Sequence, residues 1–357
     1  MWLPPWTLLP AVLLSLSTFG GWTMMGHHVS HGGYQNCSPA KGRWDRFHFA
    51  TGSLFRRLRD WPDWMLPEAW NLEHNHLHHY HLNEDADPDL VVNNLADIRA
   101  MKVPLLLKYV VVGFLMATWK WFYYSPNTFA HLEAQRAKSS FNGAVSLKSV
   151  VMGEAPKFVA RAELALHVLL PYAMYQFLLK PLPFLLAGLA CWAWRAPAAA
   201  AMFFTAFSNS AVNLLLSDIL TNVHSFIVIV PNHAGADMYR WKTHCKPLSG
   251  AFYIRAVVSS TNFSAGSDLI DAAHGFLNYQ IEHHCFPRLS MLSYQKAMPE
   301  VKALCTKHGI PYVQETVWVR LHKTAQALVG LSDMRSIPVE WETILNQQGP
   351  ATGTSSA

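Results

Sequence analysis

The chain has 357 residues, of which 14% are charged and 51% are hydrophobic, and its formal net charge is +5. Ordinary soluble domains carry roughly 25% charged residues, so this composition favours a membrane-embedded protein over one or two soluble domains. The positive charge is modest and dispersed, so it does not form the basic patch that is typical of nucleic-acid-binding proteins. It is compatible with contact to anionic lipid headgroups or to an acidic redox partner. The five cysteines are odd in number and show no paired spacing, which argues against a disulfide framework and a thiolate zinc site.

Five apolar runs are candidate membrane spans. They cover residues 3–25, 103–123, 163–180, 182–206 and 208–230. The first run has no basic n-region, which favours a retained span over a cleaved signal peptide. Arg195 weakens the fourth run as a full span, because a charge in the bilayer core is costly. The sequence therefore predicts one membrane-embedded domain over residues 1–345 and a disordered, low-complexity tail over 346–357.

Histidines concentrate in three short windows, at residues 26–32, 73–79 and 280–284. On a helix, positions i, i+3 and i+4 project from one face, so each window can aim two or three side chains at one point. Neutral imidazole is a common ligand for iron, copper, nickel and zinc. Three such windows in one apolar chain predict a polyhistidine metal site.

The helical spacing selects candidate ligands within the windows. They are His27, His28, His31, His74, His78, His79, His283 and His284, with Gln280 as a weak ligand or a hydrogen-bond donor to one. His27 precedes His31 by four residues and His28 precedes it by three, and one of these two side chains is expected to face away from the site. A single zinc ion takes four ligands, so seven or eight imidazoles indicate two metal ions. An imidazole-rich site with few carboxylates suits iron that changes its oxidation state.

Several polar residues near the windows have more than one interpretation. Glu73 and Glu282 could orient imidazole N–H groups or could be solvated helix residues. The segment around Pro88 is interpreted as a turn. Its carboxylates are expected to cap backbone N–H groups, and they belong to Asp85, Asp87 and Asp89. The isolated histidines are expected to be solvated or capping side chains, and they are His48, His131, His167, His244, His308 and His322.

A shared site requires that all three windows lie on one side of the membrane. No candidate span separates the first two windows, and two or four crossings before Gln280 return the third window to the same side. Lys and Arg are dense in residues 41–102 and 240–255, which places this side in the cytosol by the positive-inside rule.

The three windows and their neighbours resemble the histidine boxes of the membrane fatty acid desaturases over about residues 20–330. The motifs are His27-x3-His31, His74-x3-His78-His79 and Gln280-x2-His283-His284, accompanied by Asp87-Pro88-Asp89-Leu90, Asn232-His233-Ala234-Gly235 and Phe286-Pro287. Glutamine at the first position of the third box is similar to front-end and related bacterial acyl desaturases. The resemblance implies an all-α membrane protein, a transmembrane helix bundle with a cytosolic, histidine-rich helical cap. That cap would hold two iron ions, cycling between Fe²⁺ and Fe³⁺.

The resemblance also implies an activity, partners and a location. The implied enzyme is an oxidoreductase that uses O2 and two external electrons to introduce a C=C bond into a fatty acyl lipid or an acyl-CoA. No His-Pro-Gly-Gly heme motif occurs, so a separate electron donor of the cytochrome b5 or ferredoxin type is expected. The implied location is a bacterial inner membrane or an endoplasmic reticulum or plastid membrane, with multiple passes. A diiron lipid hydroxylase, a carotenoid ketolase or hydroxylase, and a non-catalytic iron- or lipid-binding membrane protein remain alternatives.

One further histidine is predicted to complete the metal site. His233 follows Pro231 at the end of the last apolar run, and it resembles the family's additional histidine between the second and third boxes. Asn232 beside it could position a water molecule or an imidazole. His224 is the competitor, about two helical turns deeper in the same run. His28 stands where the family usually has an aspartate.

Overall fold

The computed structural model describes residues 1–35 and 42–347. The regular secondary structure of the described residues is helical apart from two short strands and two isolated β-bridges, which confirms the predicted all-α fold. The predicted tail over 346–357 lies outside the described residues except for 346 and 347, which belong to the last helix. Cys37 also lies outside them.

The helices of the first half of the described chain are short except for the apolar ones. They are α1 (Leu9–Gly20), α2 (His27–Ser30), α3 (Leu54–Asp60), α4 (Pro67–Leu72), α5 (Val91–Asn94), α6 (Ala96–Ala100), α7 (Leu105–Trp119), α8 (Ser125–Arg136) and α9 (Leu147–Met152). Those of the second half are α10 (Arg161–Glu163), α11 (Leu170–Met174), α12 (Leu182–Ala193), α13 (Pro197–Ile229), α14 (Gly250–Val258), α15 (Asp268–Ala273), α16 (Gln280–Cys285), α17 (Met291–Lys307), α18 (Val317–Leu328) and α19 (Val339–Gln347).

Short segments of π-helix, which is wider than an α-helix, and of 3-10 helix, which is tighter, join several of these helices. The π-helical turns are Gly21–Gly26, Glu73–His78, Lys120–Tyr124, Leu164–Leu169 and Tyr175–Leu179, and the 3-10 turns are Pro5–Thr7, Val230–Asn232 and Leu277–Tyr279. The strands β1 (Asn262–Phe263) and β2 (Gln314–Glu315) pair in parallel, with Asn262 opposite Gln314. This small ladder ties the segment before the third histidine box to the C-terminal helices.

Among the described residues, three helical stretches are long and apolar enough to cross a bilayer, namely Leu105–Arg136, Arg161–Leu179 and Pro197–Asn232. The apolar helices α1 and α12 have 12 residues each and pack along α13. The chain is therefore a membrane protein.

The bounds of the apolar helices differ from the predicted spans in two regions. The sequence places a break between 206 and 208, whereas α12 ends at Ala193 and α13 runs from Pro197 for 33 residues without interruption. Proline lacks an N–H group and has a helical φ, so it fits the first turn of a helix and marks the start of α13. The helix that begins at Leu105 likewise continues to Arg136, beyond the predicted end at 123.

Charged side chains inside the helix bundle have partners. Lys120 lies 2.7 Å from the carboxylate of Asp63, and both side chains are buried. Asp218 on α13 accepts hydrogen bonds from Trp64 Nε1 at 3.0 Å and from Gln176 Nε2 at 2.8 Å. Unpaired charges at such positions would be costly, so these contacts fix how the cap residues 63–64 sit on the bundle.

An aromatic core lies between the bundle and the first two histidine windows. It contains Trp22, Trp61, Trp70, Trp119, Tyr124 and Phe226. Gly26 packs against this core, since a Cβ atom there would come within 2.9 Å of the Trp61 ring. The absence of a side chain at Gly26 therefore lets the first histidine box approach the core closely.

Candidate metal centre

The second histidine box lies on a π-helical turn, which changes which histidines share a face. The backbone N–H of His79 donates to the carbonyl of His74 at 3.1 Å, an i to i+5 hydrogen bond. In this turn, residues five apart in sequence lie on the same face of the helix. In an α-helix, residues four apart lie on the same face. As a result His74 and His79 face one point, and His78 faces another.

Five buried histidines form the first cluster, which consists of His27, His31, His74, His79 and His283. One ring nitrogen from each lies within 4.8 Å of the others. The Nε2 atoms of His27 and His74 are 3.0 Å apart. The first cluster therefore takes residues from all three histidine boxes.

Three further histidines form the second cluster, which consists of His78, His233 and His284. The Nε2 atoms of His233 and His284 are 3.1 Å apart. The side-chain amide of Gln280 lies 3.0 Å from Nε2 of His284 and 3.2 Å from Nε2 of His233. The clusters adjoin each other, because the ring centroids of His79 and His284 are only 4.5 Å apart.

The donor set of both clusters fits metal ions. Nε2 atoms of His31, His79 and His283 are buried and have no hydrogen-bond partner among the described residues. Buried polar atoms are normally partnered, so such a group of orphaned nitrogens points to an ion. Two nitrogens bound about 2.1 Å from one ion at an angle of about 90° lie about 3.0 Å apart, which matches the closest pairs in both clusters.

Burial keeps the imidazoles neutral, which is the form that binds metals. Burial and then neighbouring histidines lower the pKa of all five side chains of the first cluster well below the usual value. Burial also lowers the pKa of His233 to about 3. His78 is the exception: burial lowers its pKa, but the charge and hydrogen bond of Asp87 together with the charge of Asp89 raise it above the usual value.

Three acceptors outside the clusters orient imidazoles through Nδ1. Asp87 Oδ1 lies 2.9 Å from Nδ1 of His78, and the carbonyl of Ile229 lies 2.9 Å from Nδ1 of His233. The hydroxyl of Tyr294 lies 3.2 Å from Nδ1 of His283. Each contact leaves Nε2 directed into a cluster, an arrangement that fixes the orientation of metal-binding histidines.

From the sequence, this role was assigned to none of these three groups and was proposed for Glu73, Asn232 and Glu282 instead. Asp87 was interpreted as a turn residue, and it does accept backbone N–H groups from Asn83 and Asp89, both at 2.8 Å, besides contacting His78. Tyr294 carries no sequence signal that distinguishes it from a core aromatic. The spacing of nine residues between His78 and Asp87 does not by itself indicate that the chain folds back.

The residues that the sequence proposed as orienting groups have other contacts. Glu282 accepts from Asn262 Nδ2 at 2.7 Å and from the Tyr312 hydroxyl at 2.8 Å. Asn232 Nδ2 donates to the carbonyls of Val228 and Leu277. Glu73 is fully buried, and its side chain interacts with that of Asp89. Burial, and then Asp89 and Asp87, raise the pKa of Glu73 well above its usual range.

His28 and His224, the less favoured candidate ligands, lie outside both clusters. His28 is buried, and its ring centroid is 5.2 Å from that of His27 and 6.3 Å from that of His283. His224 Nε2 lies 2.7 Å from the carbonyl of Ala273, and its ring stacks on Phe19 at 3.9 Å. The structure thus brings together every main candidate ligand and leaves these two apart.

Two of the isolated histidines differ from expectation. His131 on α8 is buried, with 4% exposure, rather than solvated. His244 lies beside Glu84 and His81, forming a third group of possible metal ligands. Local sequence patterns do not indicate this group, because His244 is far from the other two residues along the chain.

A largely apolar cavity of about 630 Å³ reaches the two clusters. His27, His74, His78, His233 and Gln280 line one part of it. Aromatic and aliphatic side chains make up most of the remainder, including Trp119, Phe122, Phe226, Val112, Leu115 and Ile229. Polar and charged side chains, among them Asn94, Asp97, Lys148 and Glu154, line the rest. Its volume lies in the range of small-molecule sites, and the lining provides contact for a mainly apolar ligand.

Asp87→Asn is expected to weaken iron binding roughly 10- to 100-fold, the usual effect of losing a group that orients a ligand. The asparagine oxygen can still accept from the backbone of the turn, but the negative charge beside His78 is lost. Iron retained per protein during titration with a chelator measures the change. Asp85→Asn, at an exposed position of the same turn, is the control. Equal iron retention in the two variants would contradict a role for Asp87.

Fold and site together define a helical membrane protein with two adjoining clusters of buried histidines at the end of an apolar cavity. Residues 3–316 match the family described as Fatty acid desaturase. The chain belongs to the fatty acid desaturase family, which confirms the resemblance seen in the sequence.

Individual relatives match over shorter segments. Fatty acid desaturase 2-like protein FADS2B of Mus musculus is 49% identical over 43 residues, 12% of this chain and 9% of that protein. Delta(8)-fatty-acid desaturase 1 of Arabidopsis thaliana is 31% identical over 110 residues, 31% of this chain and 21% of that protein. NADPH-dependent stearoyl-CoA 9-desaturase of Mycobacterium tuberculosis (strain CDC 1551 / Oshkosh) is 32% identical over 113 residues, 31% of this chain and 26% of that protein.

The aligned segments thus span only 9% to 26% of these relatives' own lengths. No solved structure gives a significant match.

Proposed function

We propose that this protein is an O2-dependent acyl desaturase, which introduces a C=C bond into the fatty acyl chain of a lipid or an acyl-CoA. The observation that carries the proposal is the apolar cavity whose wall includes histidines from both clusters. Family membership and the names of the relatives point to the same reaction.

The cavity suits an alkyl chain because most of its accessible wall is apolar, although charged side chains such as Asp97, Lys148 and Glu154 also line it. Trp119, Phe226 and Ile229 would contact methylene groups and exclude water from them. Such a wall can fix which carbon atoms lie beside the clusters, and positioning of this kind contributes strongly to rate and to regioselectivity. An unactivated methylene group has no acidic proton, so side-chain acid–base chemistry alone cannot form the double bond.

Two iron ions, when bound, would supply the oxidising chemistry that removes the two hydrogen atoms. The first cluster would hold one ion through His27, His31, His74, His79 and His283, and the second would hold the other through His78, His233 and His284, with Gln280 beside it. Asp87, Tyr294 and the carbonyl of Ile229 would keep three of these imidazoles in position. Overall, one CH2–CH2 unit, one O2, two electrons and two protons give one CH=CH unit and two water molecules.

The two electrons would come from a separate donor of the cytochrome b5 or ferredoxin type. The mycobacterial relative is by name NADPH-dependent, which is in line with an external source of reducing equivalents. We place the site on the cytosolic side of a multi-pass membrane protein, because basic residues are dense in the segments 41–102 and 240–255 that surround the histidine boxes. Membrane lipids would then be direct neighbours of the exposed apolar side chains of α7 and α13.

Expression in a host with a simple fatty-acid profile is expected to yield a new unsaturated fatty acid, two mass units lighter than its precursor. Gas chromatography with mass spectrometry measures the product, and chemical derivatisation locates the double bond. Product should disappear without oxygen and should depend on a reductant.

Different outcomes separate the alternatives. A product that gains oxygen would favour a hydroxylase or ketolase. Bound iron without any oxygen- and reductant-dependent product would favour a non-catalytic binding protein. The host carrying the empty vector provides the baseline profile.

A further inference from the structure

A third group of metal-binding side chains lies outside both histidine clusters and consists of His81, Glu84 and His244. We call it the surface triad. Nδ1 of His81 and Nδ1 of His244 each lie 2.9 Å from the same carboxylate oxygen, Oε2 of Glu84. Their ring centroids are 4.7 Å apart, and the three ligand atoms lie within 4.8 Å of one another. The surface triad shares no residue with either cluster.

Backbone pairing holds the surface triad together. Glu84 pairs with Trp241 in a parallel β-bridge, in which Trp241 N donates to Asn83 O at 2.9 Å and Asp85 N donates to Trp241 O at 3.1 Å. A tight turn, with Glu84 N donating to His81 O at 2.7 Å, brings His81 back towards Glu84. The geometry therefore depends on main-chain contacts and not only on the three side chains.

The second oxygen of Glu84 is already engaged, which orients the first. Oε1 accepts from Arg255 Nη1 at 3.0 Å and from the backbone N–H of Cys245 at 3.1 Å. Hydrogen bonds to a metal-binding side chain fix its orientation and thereby increase its affinity for the metal.

We propose that the surface triad is a divalent-cation site of the zinc type, with three protein ligands and a fourth position open to water. Two imidazoles and one carboxylate are ligands that Zn²⁺ accepts. The side chain of His244 is 51% exposed and that of His81 is 26% exposed, whereas Glu84 is 4% exposed, so an ion can enter from solvent on the histidine side. This site does not depend on the proposed function of the two histidine clusters.

A cation at the surface triad would join two parts of the cap. His81 and Glu84 precede the turn that carries Asp87, the residue that orients His78. The carbonyl of His244 accepts from Asn346 Nδ2 at 3.1 Å, which connects the triad to α19. The ion would therefore hold the Asp87 turn against the C-terminal helix, close to the second cluster but not part of it.

The number of zinc ions bound per chain, measured on the purified, iron-loaded protein, tests the proposal. We expect the unmodified protein to bind one more Zn²⁺ per chain than His244→Ala or His81→Ala in equilibrium dialysis, with iron content equal in all three. His322→Ala removes an exposed histidine elsewhere and should bind zinc like the unmodified protein. X-ray absorption at the zinc edge should show about two imidazole ligands with oxygen ligands completing the site.

Two outcomes would overturn the proposal. One is equal zinc binding by His244→Ala and the unmodified protein with iron retained, which would mean that the triad is only a hydrogen-bonded group. The other is a zinc-edge spectrum without imidazole ligands. If His81→Ala lowers the iron content, His244→Ala and His244→Gln decide the matter, because His244 is half-exposed and lies outside the histidine boxes.

Discussion

His284→Ala is expected to abolish the unsaturated product and to lower bound iron, while the protein still inserts into membranes. His284 is buried in the second cluster, and its Nε2 atom lies 3.1 Å from that of His233. Removing the ring deletes one of three imidazoles, and no neighbouring group can replace it without movement of α16. Fatty-acid analysis of expressing cells and iron per protein after purification measure both effects. The same result is expected for His78→Ala, His79→Ala and His283→Ala.

The matched control is His322→Ala, which removes an exposed imidazole on α18. It should leave product, iron and membrane insertion unchanged. Full activity in any of the four box variants would show that the assignment of ligands is wrong. Loss of membrane insertion in all four, with the control intact, would instead show that these side chains are needed for folding.

His233→Ala is expected to remove one of the two iron ions and His224→Ala to remove neither. His233 lies beside His284 and Gln280, whereas the ring of His224 contacts Phe19 and the carbonyl of Ala273. The first cluster keeps all five histidines in both variants, so its ion should remain. Iron per protein, measured on both purified variants, tests the difference. Normal iron in His233→Ala with depleted iron in His224→Ala would reverse the assignment.

The sequence predicts the family, the helical fold class and the three histidine windows that form the two clusters. These features can be predicted because each depends on a local pattern of residues. Histidines at helical spacing indicated where ligands lie, and long apolar runs indicated a membrane protein. The structure also places His233 beside the third box, as the position of this residue after Pro231 suggested. Its role as a ligand remains a prediction that the iron measurement tests.

The division of the histidines into two clusters could not be predicted in the same way. An α-helical spacing places His74 and His78 on one face, whereas the structure pairs His74 with His79 and directs His78 elsewhere. Nothing in the local sequence distinguishes an i to i+5 hydrogen bond from an i to i+4 bond.

Contacts between distant parts of the chain could not be predicted from the sequence either. Asp87 on His78, Tyr294 on His283 and His244 on Glu84 all depend on how separate segments pack. The sequence left open whether Glu73, directly before the second box, and Glu282, within the third box, orient imidazoles. In the structure Glu282 instead bonds to Asn262 and Tyr312. Proximity along the chain is therefore a poor guide to which carboxylate orients which ligand.

The π-helical turn Glu73–His78 holds one residue more than an α-helix needs between the same two faces. Deleting Asn75 or Leu77 would shorten the spacing of His74 and His79 from five residues to four, and an α-helix places residues four apart on one face. His79 and the Asp87 turn would then keep nearly their present directions relative to His74. Homologous chains that lack one residue here should therefore retain the paired clusters, provided that they keep every histidine.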